Sequence, residues 1–329
     1  MKKYLWLLGF VFIFMLVGCG SNNGDKAHID MSERLITISQ NATIEDIARD
    51  AVYAVVSIET SSSIGSGVCV ASGGYVLTNS HVVNGENDIT LHLFDGSTIL
   101  ADIVYEDVVL DVAILKTSVS MPYLPLANSD DVNVGQDVLA VGTPLSLSLN
   151  HSFTKGIISA LNRTIPISGA NGMYFMNNLI QHDASLNSGN SGGPLLNTKG
   201  EVIGINTLKV TDGDGVGFSI PTKAFMSILN SVIGSSDFAL PYLGILGYDA
   251  SIEKDLSLEG FYVLDVLDYS PVSDHIEDGA VITKINGVNV ENYLDFRNEL
   301  YKCKAFDKIA ITYVLDGVEN DVIVLLGKK

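Results

Sequence analysis

The sequence predicts a mostly β protein, folded in two parts behind an apolar N-terminal leader. Three observations carry that expectation. From Val52 to Ile220 the chain is a series of short runs rich in Val, Ile and Leu, with turn residues between them, and it shows few helical periods. It lacks the strand-helix alternation of a doubly wound fold, so a β-sandwich or a pair of barrels is expected. Its 329 residues, 47% of them apolar, exceed one ordinary domain and suffice for two or three.

Taken in order, the leader comes first. MKK is a basic start, Tyr4 to Val17 is almost wholly apolar, and Leu16-Val17-Gly18-Cys19 places small residues before a cysteine. The arrangement resembles a bacterial lipoprotein signal, which implies cleavage after Gly18 and a diacylglycerol on Cys19. A spanning helix is disfavoured because fourteen residues fall short of the roughly 20 a bilayer needs. GSNNGDK, from Gly20, is small and polar and reads as a flexible tether. Thr43 then opens a helix, with Asp46 three residues on as its capping partner.

The strand runs are AVVSI, SGVCVA, GYVLTN, DITLHLF, DVAILK, DVLAVG, KGIISAL and EVIGINT. PTKAFMSILNSVI, from Pro221, has helical spacing through Phe225, Ile228, Leu229 and Ile233 and closes the first folded part. Gly234 to Asp237 is the expected linker. About 90 residues of strand and turn follow, with one helical segment, ENYLDFRNELYKC. The expected organisation is a signal over 1–18, lipidated Cys19 and tether over 19–42, a first domain over 43–234 and a second over 235–329.

Composition narrows the function. The formal charge is −19, and −21 without the leader's Lys2 and Lys3, so a phosphate backbone would be repelled and nucleic acid is not an expected partner. Beyond Cys19 only Cys69 and Cys303 remain, far apart and in different expected domains, so each reads as an unreactive thiol. Thr211 to Gly215, TDGDG, lacks the ligands of a calcium loop and reads as a hairpin turn. No metal or cofactor is expected.

NSGNSGGP, Asn187 to Pro194, concentrates glycines around Ser191 between two strand-like runs. Glycine permits positive φ and close backbone approach, so such a turn can aim main-chain N–H groups outward beside a hydroxyl. A serine becomes a nucleophile only when a base takes its proton, and the base needs an orienting carboxylate. Of six histidines, His81 ends the apolar strand GYVLTNS, where a side chain can reach from scaffold into a cleft. Asp111, flanked by apolar residues in VVLDVAILK, is costly to bury unless it is hydrogen-bonded, and an imidazole N–H would satisfy it.

The segments GSGVCVASGGYVLTNSHVV, DVAILK, VGTPLSLSLNHSFTKGIISALNR, IQHDASLNSGNSGGPLLNTKGEVIGINT and GVGFSIP, in this order, resemble the protease domain of the HtrA (DegP-like) serine proteases. The resemblance covers most of Val52 to Lys223. It implies a chymotrypsin-like double β-barrel and a triad in which Ser191 attacks, His81 carries the proton and Asp111 orients the imidazole. It further implies an oxyanion hole at Gly189, Asn190 and Ser191, with Asn190 setting the turn, and an aliphatic S1 pocket shaped by Leu186 and Leu208. The neutral Asn190 cannot pair with a new N-terminal ammonium, so activation by N-terminal cleavage is not expected. His182 stands where the family commonly has threonine, and a structural histidine is expected there.

Tyr242 to Lys329 resembles a PDZ domain. Tyr242-Leu243-Gly244-Ile245 matches the carboxylate-binding loop, and GAVITKINGVNVENYLDFRNEL matches the central strand, turn and helix. The segment His275 to Ala280 is one residue shorter than in many relatives. The expectation is an ATP-independent serine endopeptidase for unfolded proteins, with C-terminal peptides bound at the PDZ domain. It is expected to be trimeric and lipid-anchored on the extracytoplasmic face of a bacterial membrane. The alternative is a client-holding chaperone or peptide-binding lipoprotein in which cleavage is minor.

Overall fold

The first barrel is built from strands that bury both faces. The structure is a computed structural model that describes residues 30–169, 172–209, 215–234, 239–249 and 258–328. Cys19, most of the 211–215 turn and the 235–238 linker lie outside the described residues. Helix α1 (Ile44–Ala51) leads in with the expected capping box: Thr43 Oγ1 accepts from Asp46 N–H and Asp46 accepts from Thr43 N–H. Such a cap is worth about 0.5–2 kcal/mol.

β1 (Val55–Glu59), β2 (Ile64–Ala71), β3 (Tyr75–Thr78), β4 (Ile89–His92), β5 (Thr98–Asp107) and β6 (Val112–Thr117) close in the order β1-β2-β3-β6-β5-β4, with α2 (Ser80–Val83) after β3. Alternate residues enter two cores. Val56, Ile58, Cys69, Val76, Ile89, Leu91, Ala113 and Leu115 share the barrel interior. Their neighbours Val55, Val68, Val70, Leu77, Val112 and Ile114 join a core shared with the second barrel. Burial of both faces is why these strands read as continuous apolar runs. β5 lacks that pattern, with only Ala101 and Tyr105 buried, and so was not among the expected runs.

β7 (Asp137–Gly142), β8 (Ser152–Gly169), β9 (Gly172–His182), β10 (Pro194–Leu196), β11 (Val202–Lys209) and β12 (Gly217–Pro221) close the second barrel in the order β10-β11-β12-β9-β8-β7. Val138, Ala140, Ile158, Ile180, Leu195 and Ile203 fill it, while Leu139, Val141, Leu196 and Ile205 face the shared core. β10 turns into β11 as a hairpin, and the expected run EVIGINT falls on β11. Helix α3 (Met226–Gly234) caps this part, burying Ile228, Leu229 and Val232, with Phe225 buried just before it; Ile233, expected on that face, is 38% exposed.

The C-terminal part holds β13 (Pro241–Tyr242), β14 (Ile245–Asp249), β15 (Phe261–Val266), β16 (Val281–Ile285), β17 (Val288–Asn289), α4 (Tyr293–Tyr301), β18 (Lys308–Leu315), β19 (Val318–Leu325) and β20 (Gly327–Lys328). β14-β15-β16-β18-β19 form an antiparallel sheet with β17 beside β16, and β13 pairs β20. Phe261, Ile282, Ile285, Phe296, Leu300, Ile311 and Val324 make its own core, but Leu294 of α4 buries in the shared barrel core.

The tether expected over 19–42 is corrected at its end. Ile36 N–H donates to Tyr123 O and Tyr123 N–H to Arg34 O, at 2.8 and 3.0 Å, and Ile36 is buried in the shared core. Leu35 and Tyr123 form an isolated parallel backbone bridge, and the Ile36 side chain anchors this end of the segment.

Candidate active site

His81 reaches the seam between the barrels from α2, a single helical turn that starts at the N-cap Asn79 directly after β3 ends at Thr78. Asp111 arrives from the β5–β6 turn in the left-handed region, φ 58°, an uncommon backbone for a non-glycine residue. Asn79 Nδ2 fixes that backbone by donating to Asp111 O at 2.8 Å.

The carboxylate is buried and accepts three donors. His81 N–H and Nδ1 lie 3.0 and 2.9 Å from Oδ1, Nδ1 lies 2.9 Å from Oδ2, and Thr207 Oγ1 donates to Oδ2 at 2.6 Å. Since a carboxylate only accepts, the imidazole hydrogen sits on Nδ1 and Nε2 keeps its lone pair. Partial burial lowers the His81 pKa, but the Asp111 hydrogen bond and charge outweigh it and hold it above 6.5. The ring remains half-exposed, at 49%.

Ser191 stands on the glycine-rich turn, and its close contacts explain the glycines. A Cβ on Gly189 (φ +97°) would lie 2.1 Å from Thr143 O, one on Gly192 2.1 Å from Ser66 O, and one on Gly193 2.0 Å from Val141 O. Ser66 of β2 pins this turn across the seam. Its N–H donates to Ser191 O at 2.8 Å, its hydroxyl donates to Gly189 O at 2.7 Å, and that hydroxyl accepts from Thr143 N–H at 2.9 Å. The N–H groups of Gly189 and Ser191 have no acceptor among the described residues. Asn190 N–H donates to Asn187 O at 3.0 Å, so Asn190 shapes the turn and is not a free donor.

Ser191 Oγ donates to Thr207 O at 3.0 Å rather than to His81. Thr207 therefore touches both halves of the site, its hydroxyl on Asp111 and its carbonyl on Ser191. Sequence reasoning missed Thr207 and Ser66, and neither carries a local signal beyond lying on a predicted strand. The arrangement places a serine, an imidazole with a free Nε2 and two unpaired N–H donors in one cleft, which suits acyl transfer.

Residues 65–205 match the family model described as trypsin-like peptidase domain. The chain is 34% identical over 291 residues to the serine protease Do-like HtrA of Lactococcus lactis subsp. lactis, covering 82% of this chain and 71% of that one. The chain belongs to the HtrA family of Do-like serine proteases. Its identity to the Bacillus subtilis Do-like HtrB is 36%, over 78% of this chain and 59% of that protein. The Bacillus subtilis HtrA is 32% identical, with 65% of its length covered, so the chain spans about three fifths of these two relatives. Among solved structures, the HtrA-type protease AlgW with tripeptide superposes with TM-score 0.68 at 30% identity, covering 88% of this chain and 98% of that one. The double barrel is thus the chymotrypsin-like fold expected from the sequence.

The remaining expected residues fall as follows. Leu186 is buried in the second barrel's interior. Leu208 pairs with Phe218 in the β11–β12 ladder, and its side chain lies outside the described residues. His182 is fully buried, and burial drives its pKa down to about 4. Its Nε2 lies 3.0 Å from Ser219 Oγ, which donates on to Asn206 Oδ1 at 2.9 Å, so Nε2 carries the hydrogen and the ring is neutral. Tyr242 to Ile245 line one end of a groove of about 680 Å³ between β14 and α4. The N–H groups of Leu243 and Gly244 have no acceptor among the described residues.

Proposed function

We propose that the chain is a serine endopeptidase working through His81, Asp111 and Ser191. The supporting observation is the 2.9 Å His81–Asp111 contact beside a serine whose own turn offers two free N–H donors. On substrate entry Ser191 Oγ turns from Thr207 O to His81 Nε2 and attacks the peptide carbonyl as Nε2 takes its proton. Asp111 keeps Nδ1 protonated and stabilises the imidazolium. Gly189 and Ser191 N–H receive the oxyanion, and each such donor is worth roughly 10²–10³ in rate. His81 then protonates the leaving amine, and water repeats the sequence on the acyl-enzyme.

By family likeness, Leu186 and Leu208 would shape an S1 pocket that favours small or medium aliphatic P1 residues. Unfolded chains are the fitting substrates, because a cleft needs an extended segment that native domains rarely offer. The relatives from Halomonas elongata and Haemophilus influenzae are named as probable periplasmic proteases, which supports an extracytoplasmic site, with Cys19 as the lipid anchor. The β14–α4 groove and the Tyr242–Ile245 loop support a PDZ reading in which a C-terminal peptide adds a strand and its carboxylate meets loop N–H groups. A homotrimer completes the proposal by family likeness.

The test is digestion of casein by the detergent-solubilised chain beside its Ser191→Ala variant. Cutting by the unmutated chain alone supports the proposal. Equal cutting by both would overturn it, and binding without cutting by both would favour the client-holding alternative.

A further inference from the structure

Asp107 and Arg297 lie 190 positions apart in sequence and form a buried ion pair between the first barrel and α4. Arg297 Nη2 donates to Asp107 Oδ2 at 2.5 Å, with the two side chains 8% and 10% exposed. The guanidinium also donates to Tyr293 Oη at 3.2 Å and lies over the rings of Tyr293 and Tyr301. Burial alone would raise the Asp107 pKa, but the Arg297 charge and the Leu110 N–H hold it below the usual carboxylate range.

The position of Asp107 gives the pair its meaning. Asp107 ends β5, and Asp111 is four residues on. Asp107 Oδ1 accepts from Leu110 N–H at 2.9 Å, which closes the turn that delivers Asp111. Between them Val108 is 70% exposed, and Val109, 54% exposed, only lines the edge of the groove beside α4, so neither is anchored in a core. Asp111 itself holds a positive φ that costs energy to maintain. The turn therefore depends on its two ends: Leu110 and the Asp107 cap on one side, and the Asp111 hydrogen bonds on the other. Without Arg297 the buried carboxylate would keep only neutral donors, the Tyr105 hydroxyl 3.1 Å from Oδ2 and Leu110 N–H, and a buried charge with no counter-charge is costly, so the Asp107 side chain would swing toward water and release Leu110 N–H.

We propose that Asp107 is a positioning residue for the His81–Asp111 pair and that Arg297 of α4 holds it in place, so turnover in the barrel depends on a C-terminal side chain. The inference rests on the serine-protease reading above. A displacement of about 1 Å at a reacting group can cost about 10² in rate, whereas loss of the orienting carboxylate costs about 10⁴. Removing the cap should therefore cost about ten- to a hundredfold.

The experiment uses the full chain in detergent, unmutated and as Asp107→Ala, Asp107→Asn, Arg297→Met and Arg297→Lys. Two quantities are read: the rate and end-point of fluorophosphonate labelling of Ser191, and kcat and KM on a short peptide anilide. Asp107→Ala is expected to lower labelling rate and kcat by about ten- to a hundredfold, with KM within threefold and the end-point unchanged. Asp107→Asn should lose less, because its amide oxygen still accepts from Leu110 N–H. Arg297→Met should fall toward Asp107→Ala, and Arg297→Lys should recover most of the loss. A reduced end-point in any variant marks misfolding, and Asp107→Asn and Arg297→Lys then decide the matter. Labelling and kcat within twofold of the unmutated chain in Asp107→Ala and Arg297→Met, or no recovery in Arg297→Lys, overturns the inference alone. An unmutated chain that never labels at Ser191 overturns the serine-protease reading, and the inference with it.

Discussion

Thr207→Val removes one hydroxyl and leaves nearly the same shape, so it isolates the bond to Asp111. The main-chain carbonyl that accepts from Ser191 Oγ is retained. The lost bond is short, 2.6 Å, and buried at both ends, since Asp111 and Thr207 are 7% and 5% exposed. A hydrogen bond to a charged group is worth about 1.5–3 kcal/mol, and that is the expected loss of folding stability. Less of it reaches the reaction, because Asp111 is ionised both before and during proton transfer. What changes is how firmly the carboxylate is held against His81 Nδ1. With two donors left, both from His81, a three- to thirtyfold fall in kcat is expected, about 0.7–2 kcal/mol of barrier. KM should stay within threefold, since Thr207 Oγ1 faces away from the substrate side of the imidazole. The assay is steady-state hydrolysis of a peptide anilide, with thermal unfolding followed by circular dichroism, and Thr207→Ser should restore both. If kcat stays within twofold while stability falls by more than about 1 kcal/mol, the hydroxyl only supports the fold and the reasoning fails.

Three further outcomes follow from the same geometry. The unmutated chain should gain kcat/KM with rising pH through a value above 6.5, because neutral His81 is the base and Asp111 raises its pKa over the opposing effect of burial. Asp111→Asn leaves burial alone, so that limb should move below 6.5 while the plateau drops by about 10⁴; an unmoved limb in the pH profile would sink the pairing. Gly189→Ala would push a Cβ to 2.1 Å from Thr143 O at φ +97°, so kcat should fall at least about a hundredfold as the oxyanion donor is displaced, and near-normal hydrolysis would refute that role. His182, held neutral with a pKa near 4 against 6.5 when unfolded, takes up a proton on unfolding, so its contribution is present above 6.5 and lost as pH falls toward 4. Urea unfolding at pH 7.5 and 4.5 should show a stability drop larger by roughly 2–3 kcal/mol than in His182→Thr, and equal drops would contradict it.

The features that reading the sequence recovers are those whose physics is local. The Thr43–Asp46 box spans three residues, and the runs that bury both faces announce themselves as strands. The 187–194 turn has a local demand for glycine at 189 and 192, where φ is +97° and +85°. Asp111 was legible because a carboxylate among valines, leucine and isoleucine implies a partner, and the structure supplies three donors. What was missed depends on distant pieces meeting. Nothing in LADIVYED marks Asp107 as a partner for an arginine 190 residues later. Thr207 looks like any strand threonine until β11 docks beside the β5–β6 turn. β5 was passed over because eight of its ten residues are not buried.

The site belongs to neither barrel. His81 and Asp111 come from the first, Ser191 and Thr207 from the second, and Ser66 ties them with three hydrogen bonds across the seam. Every one of these contacts breaks if the barrels part by an ångström or two, long before either barrel loses its own core. The competent arrangement is therefore less stable than the fold that carries it, and small free energies at the seam set its population. Ser191 resting on Thr207 O fits such a site, since its hydroxyl must leave that carbonyl before it can donate to His81 Nε2. Arg297 acts at the same seam from outside, through the turn that carries Asp111. A change of about 1.4 kcal/mol there shifts the competent fraction up to tenfold, enough to regulate turnover without altering the three residues proposed to do the chemistry.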